Sequence, residues 1–206
     1  MTRKFFLMIG SAILIQALPV QAAPEQKTEK ILSHEAYRLV VAQTDFAAHT
    51  VDGSRFLELM KNPKAVTLDL RDEIRYYLSH IRGAKHLGPD IHEDQLAKLV
   101  PDKHTPILLY CENSLFPTRN VSLTDVALPQ ILALGYRQVY LLDNPRGNSW
   151  PGLPMIENKA GHDAVDDELA RYKSETGQKY VHWGTDAALK ARILDKLRPK
   201  AEKQIK

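Results

Sequence analysis

Cysteine is nearly absent from this chain, which has a single one, Cys111, among 206 residues. An internal disulfide is therefore excluded, and the thiol is either buried and inert or free and reactive. The chain also lacks a large excess of charge of either sign, because 28 lysines and arginines nearly balance 25 aspartates and glutamates. The formal net charge of +3 is too small to predict a nucleic-acid partner. Neither an internal repeat nor a low-complexity tract occurs, so the sequence does not predict a repeat protein.

Long hydrophobic runs are limited to the amino terminus. Arg3 and Lys4 precede an apolar stretch over residues 5–18, and small residues suited to signal peptidase follow over residues 19–23. This pattern predicts a signal peptide over residues 1–22 and a periplasmic or secreted protein. Its removal takes away two cations and no acid, which lowers the formal charge from +3 to +1. No later run is long enough to predict an integral membrane span.

Close pairs of metal-binding side chains are missing as well. The chain has eight histidines, but those in the central part are scattered over a loop, a strand and helix ends: His80, His86, His92 and His104. Zinc sites use ligands at short, regular spacings, which these residues lack. We therefore expect no metal site and no cofactor.

Hydrophobic periodicity divides the chain into segments. Residues 23–45 are predicted to form an N-terminal helical extension, because apolar residues recur at helical spacing over Glu29 to Gln43. Residues 46–155 are predicted to form one compact domain, and residues 156–206 a polar helical C-terminal extension. That extension is expected to pack on the domain, with a partner protein or an anionic membrane surface as alternative contacts.

Strands and helices alternate within the compact domain. Strands are predicted at 46–51, 65–70, 84–87, 107–110 and 139–142; helices are predicted from Asp52 or Ser54 to residue 60 and over 72–79, 91–100 and part of 122–134. Such alternation favours an α/β fold with a mostly parallel central sheet, helices on both faces and extra helices at both ends. Cys111 directly follows a predicted strand, where parallel sheets hold their ligands, so it is the first candidate for chemistry.

Four blocks of sequence resemble the rhodanese-like domain family. In order along the chain they are Val66-Thr67-Leu68-Asp69-Leu70-Arg71, Ser79-His80-Ile81-Arg82-Gly83-Ala84, the Ile107 to Cys111 strand, and Gly135-Tyr136-Arg137-Gln138-Val139. The resemblance covers about residues 46–155 and implies the family's α/β fold. It implies a cysteine nucleophile that accepts sulfane sulfur from a donor such as thiosulfate and holds it as a persulfide. A small sulfur-containing substrate or a protein thiol acceptor is then the expected partner.

The resemblance also assigns roles to other residues. Ser114, Thr118 and Arg119 follow the cysteine and are expected to bind substrate, with Pro117 in the first turn of the next helix. Asp69, Arg71 and His80 are expected to be structural, because the first two tie the strand end to its neighbouring loops and the third packs or hydrogen-bonds locally.

The segment after Cys111 departs from the family pattern. It has no glycine, and its first arginine lies eight positions after the cysteine, so a wider loop is expected. Pro129 lies inside the next predicted helix, which is expected to begin late, to kink or to follow an insertion.

Two function classes remain: a sulfurtransferase or persulfide carrier, and a binding or regulatory module that kept the fold and lost the reaction. Oxyanion chemistry of the phosphatase type ranks last, because Cys-x7-Arg differs from the Cys-x5-Arg of those enzymes.

Overall fold

The computed structural model describes residues 33–116, 122–143 and 152–201. In these ranges the helices are α1 (His34–Gln43), α2 (Phe46–His49), α3 (Gly53–Met60), α4 (Glu73–Leu78), α5 (Glu93–Leu99), α6 (Glu112–Leu115), α7 (Leu123–Ala133), α8 (Lys159–Thr176) and α9 (Ala187–Ala201). The strands are β1 (Thr50–Val51), β2 (Val66–Asp69), β3 (Ser79–Ile81), β4 (Lys85–His86), β5 (Ile107–Tyr110), β6 (Val139–Leu142) and β7 (Met155–Glu157).

Five strands form a parallel sheet in the order β1-β6-β5-β2-β4, and helices flank it. Every residue of the central strand β5 is buried. Because side chains alternate along a strand, Ile107 and Leu109 pack in one cluster with α5 and α7, whereas Leu108 and Tyr110 pack in another with α3. The prediction of an α/β fold with a mostly parallel central sheet is confirmed.

Local capping explains where two of the helices begin. Asp52 accepts a hydrogen bond from the Arg55 N–H at 2.8 Å, and Asp72 accepts one from the Arg75 N–H at 3.1 Å. Each carboxylate satisfies a first-turn donor that has no partner inside the helix. Of the two caps proposed for α3, Asp52 is therefore the one used.

The predicted secondary structure was incomplete or wrong in two places. The strand predicted over residues 46–51 is reduced to β1, because Asp45 accepts the Ala48 N–H at 3.2 Å and starts the short helix α2. Strands β3 and β7 pair antiparallel in a separate two-stranded sheet, and neither was predicted. The helix predicted within residues 122–134 is confirmed as α7, which runs through the buried Pro129.

The C-terminal helices pack on the domain through a separate hydrophobic cluster. Leu189, Ile193 and Leu197 of α9 recur at helical spacing on one face and are fully buried. Their cluster includes Ile74 and Leu78 of α4. Helix α4 is therefore shared between the sheet domain and the C-terminal helices. No helix in the described part of the chain is long and apolar enough to span a bilayer.

Candidate active site around Cys111

Cys111 follows β5 directly and lies at the carboxyl edge of the parallel sheet. Its side chain is 1% exposed and packs in the same cluster as Ile107 and Leu109, on the side of the sheet covered by α7. This orientation follows from the strand alternation, since residues 107, 109 and 111 share one face. The residue is also the N-cap of the one-turn helix α6.

Ser114 is the first polar group beside the sulfur. The Cys111 N–H donates to Ser114 Oγ at 3.2 Å, and the same oxygen lies 4.0 Å from Cys111 Sγ. In this reciprocal capping arrangement the sulfur also faces the backbone N–H of Ser114. Because the Ser114 oxygen already accepts one hydrogen bond, its own proton is available to the sulfur.

Ser122 approaches the sulfur from the start of α7. Its Oγ lies 3.7 Å from Cys111 Sγ and 2.7 Å from Thr124 Oγ1. Sequence reasoning had not selected either hydroxyl. The sequence does place Ser122 at the predicted start of the helix that follows the cysteine loop. Serine at such a position usually caps the helix backbone, so its presence there did not indicate a contact with the sulfur.

A buried ionic network lies one residue before the cysteine. Asp69 is fully buried and accepts hydrogen bonds from Tyr110 Oη at 2.6 Å and from the Arg71 guanidinium, whose closest contact is 2.7 Å. The guanidinium also donates to the Ser79 carbonyl at 2.5 Å. Burial works against the charge of Arg71, but the hydrogen bonds and charge of Asp69 outweigh it and raise its pKa, so it stays protonated. Burial and Asp69 also raise the pKa of Tyr110, which remains a neutral donor.

Glu112 places a negative charge next to the cysteine. Its Oε2 lies 3.6 Å from Arg75 Nε and 3.9 Å from Arg71 Nη1, and both distances are too long for good hydrogen bonds. Although the side chain as a whole is about one-third exposed, Oε2 itself is buried and has no hydrogen-bond partner. These contacts connect the first residue of α6 to α4 and to the buried network.

A family model described as the rhodanese-like domain matches residues 53–144. Residues 53–144 are a rhodanese-like domain. No curated protein matches the chain.

Solved structures similar to the chain include rhodanese-like proteins of bacteria. The rhodanese-like domain of an Anabaena protein is 22% identical, with 53% of this chain and 80% of that chain covered and a TM-score of 0.42. A thiosulfate sulfurtransferase from Pseudomonas aeruginosa is 23% identical, with 62% of this chain and 23% of that chain covered and a TM-score of 0.42. A rhodanese with anions from E. coli is 19% identical, with 46% of this chain and 99% of that chain covered and a TM-score of 0.32.

The rhodanese-like domain brings only some of the predicted site residues together. Ser114 lies beside Cys111, whereas Thr118 and Arg119 fall outside the described residues. Asp69 and Arg71 connect β2 to β5 and to β3 by their mutual hydrogen bonds and those to Tyr110 and Ser79.

The His80 side chain contacts Tyr76, four residues earlier in the chain. Its Nδ1 lies 2.9 Å from the Tyr76 carbonyl oxygen, and its ring stacks on Tyr76 with centroids 4.4 Å apart. Since a carbonyl only accepts, Nδ1 carries the proton. Burial lowers the pKa of His80, although the hydrogen bond to Tyr76 opposes the shift. Within the described ranges, no group of three or more His, Cys, Asp or Glu is arranged to hold a metal ion.

The rhodanese-like domain thus offers a sulfur with polar groups from α6 and from the start of α7. The hydroxyls of Ser114 and Ser122, together with one backbone N–H, surround Cys111 Sγ. Hydrogen-bond donors around a sulfur favour its anionic form, and the anion is the nucleophile. The arrangement is suited to nucleophilic chemistry at sulfur.

Proposed function

We propose that the protein is a sulfurtransferase or persulfide carrier that uses Cys111 as its nucleophile. The observation that carries this proposal is the position of Cys111 in the rhodanese-like domain, at the carboxyl end of the central strand with hydroxyl groups beside its sulfur. A thiolate in such surroundings attacks electrophilic sulfur. The proposed reaction calls for no redox cofactor, because the sulfane sulfur of the donor is already at the oxidation level of a persulfide.

The proposed reaction has two steps. The Cys111 thiolate attacks the sulfane sulfur of a donor such as thiosulfate, a new S–S bond forms, and the donor's S–S bond breaks so that sulfite leaves with the electron pair. An acceptor then attacks the terminal sulfur of the persulfide and releases the Cys111 thiolate. The acceptor is cyanide, which becomes thiocyanate, or a protein thiol, which becomes a persulfide. No net oxidant is needed.

We further propose that the protein works outside the cytoplasm. The supporting pattern is the one at the amino terminus, where Arg3 and Lys4 precede an apolar stretch and a run of small residues. Since the chain has one cysteine, the mature protein would carry a free thiol into that compartment. Amino-terminal sequencing of the protein recovered from the producing cell tests this, with residue 23 as the expected first residue.

A binding module without sulfurtransferase activity is the second candidate. It is favoured by the burial of Cys111, which is 1% exposed, and by the negative charge of Glu112 at the next position. A carboxylate on the residue next to the cysteine repels a dianionic donor. In this alternative the thiol packs as a small apolar side chain.

Mass spectrometry of the intact protein after incubation with thiosulfate separates the two candidates. The sulfurtransferase gains one sulfur atom, loses it again on addition of cyanide, and yields thiocyanate. Cys111→Ser is the matched control, and it gains none because the chain has no other cysteine. A wild-type protein that gains no sulfur and whose folded thiol also resists iodoacetamide is the inactive binding module.

A further inference from the structure

Ser122 occupies a capping position without acting as a cap. It is the N-cap residue of α7, with extended backbone angles, yet its side chain accepts no hydrogen bond from the first turn. A serine at this position usually accepts a backbone N–H of the second or third helical residue. Its Oγ is instead 3.7 Å from Cys111 Sγ and 2.7 Å from Thr124 Oγ1.

Thr124 determines which way the Ser122 proton points. Its side chain is 3% exposed, and its hydroxyl forms a short hydrogen bond with Ser122. An ionised sulfur only accepts hydrogen bonds, so beside it the Ser122 proton points to Sγ and the Ser122 oxygen accepts the proton of Thr124. The pair therefore has an ordered state in which Thr124 donates to Ser122 and Ser122 donates to Cys111.

We propose that Ser122, oriented by Thr124, is a positioning residue that stabilises the anionic states of Cys111. The inference rests on the proposed function, because it requires the sulfur to pass through thiolate and persulfide anions. Ser114 provides a second hydroxyl, whose oxygen lies 4.0 Å from Cys111 Sγ. Hydrogen bonds to a charged acceptor are the strong ones, and a buried sulfur has few solvent donors in their place. Hydroxyl donors thus supplement the backbone N–H of Ser114, the one described backbone donor that faces the sulfur.

The pH dependence of Cys111 alkylation tests this role. The rate of reaction with iodoacetamide is measured across pH for the wild type, Ser122→Ala, Thr124→Val and Thr124→Ser, and the chain's single cysteine reports without ambiguity. For Ser122→Ala we expect the rate midpoint to move up by about one pH unit, and the rate below both midpoints to fall about tenfold. Thr124→Val keeps the side-chain shape without the hydroxyl, and its alkylation rate below both midpoints is expected to fall about threefold. Thr124→Ser keeps the hydroxyl and is expected to react at the wild-type rate.

Ser33→Ala is the matched control. Ser33 is also an N-cap serine, but it makes an ordinary capping bond, since it accepts the Ala36 N–H at 3.2 Å. Its loss is expected to leave the alkylation midpoint unchanged. A change of equal size in Ser33→Ala would assign the effect to general destabilisation and overturn the inference.

The outcomes separate this inference from the proposed function. If the wild type gains sulfur from thiosulfate but the midpoint is unchanged in Ser122→Ala and Thr124→Val, the positioning role is wrong and the proposed function stands. If the wild-type thiol neither gains sulfur nor reacts with iodoacetamide while folded, both are wrong. Should Ser122→Ala fail to fold, the comparison of Thr124→Val with Thr124→Ser decides the matter, because both retain Ser122.

Discussion

Asp69 has a fully buried carboxylate whose acceptor sites are occupied by donors from the chain. The Arg71 N–H donates to it at 2.9 Å, the Arg71 guanidinium donates to both of its oxygens, and Tyr110 Oη donates at 2.6 Å. A carboxylate this heavily bonded has little remaining capacity to act as a base. The network therefore supports a structural role for Asp69, which holds the end of β2 against β5 one residue before the cysteine.

His80 is expected to make stability depend on pH. Burial lowers the pKa of the folded imidazole, whereas the unfolded one keeps its ordinary value of about 6.5. Below that pH the unfolded chain binds more protons, so the free energy of unfolding falls as pH drops from about 7 to about 5. His80→Asn is expected to make this pH dependence shallower, as measured by urea unfolding at several pH values. Asn keeps an N–H donor for the Tyr76 carbonyl but does not titrate.

His104→Asn is the control for this experiment. His104 lies on an exposed loop, and its backbone N–H donates to Asp102 at 2.9 Å. Its replacement is expected to leave the slope of stability against pH close to that of the wild type. Equal slopes in the wild type and His80→Asn would show that His80 does not contribute.

At the level of elements, hydrophobic periodicity predicted the buried strands of the parallel sheet. It missed the elements that form only through contacts with other parts of the chain. Strands β5 and β6 have the bounds that their apolar runs predicted, because buried parallel strands are continuously apolar. Strands β3 and β7 are short and made only by pairing with each other, so neither carries a pattern of its own. The position of Ser122 beside Cys111 was equally hidden, since a tertiary contact across eleven residues leaves no periodic trace.

Gly135 ends helix α7 and turns the chain toward β6. Its φ is +92°, a left-handed value that residues with a Cβ rarely adopt. Gly135→Ala is therefore expected to lower the free energy of unfolding by about 1–2 kcal/mol, as measured by urea denaturation. The nearest atom to an added Cβ is Lys103 Cδ at 3.4 Å, on a flexible side chain, so strain of the backbone dominates.

Gly135→Asn distinguishes backbone strain from crowding. Asparagine tolerates left-handed backbone angles better than alanine but has a larger side chain. If strain dominates, the loss in Gly135→Asn is smaller than in Gly135→Ala. A larger loss in the asparagine variant would mean that contact with Lys103 decides the cost.

At the level of the whole molecule, α4 connects the hydrophobic cluster of the C-terminal helices to the candidate site. Its Ile74 and Leu78 pack with α9, and Arg75 lies 3.6 Å from Glu112 beside the cysteine. The exposed pair of Arg198 and Glu73 adds a contact at 3.1 Å that contributes little by itself. Because α4 is common to both parts, the C-terminal helices and the rhodanese-like domain are expected to unfold together.

Ile193→Ala tests this coupling. The side chain is fully buried between α9 and α4, so its truncation is expected to lower the free energy of unfolding by about 3 kcal/mol. Urea unfolding is followed by far-UV circular dichroism and by fluorescence of Trp183, which packs in the same cluster, after Trp150→Phe leaves a single tryptophan. Both probes are expected to shift together.

Lys196→Ala, on the exposed face of α9, is the control and should change stability by less than about 0.5 kcal/mol. A fluorescence transition at a lower urea concentration than the main circular-dichroism transition would mean that α8 and α9 unfold independently of the rhodanese-like domain.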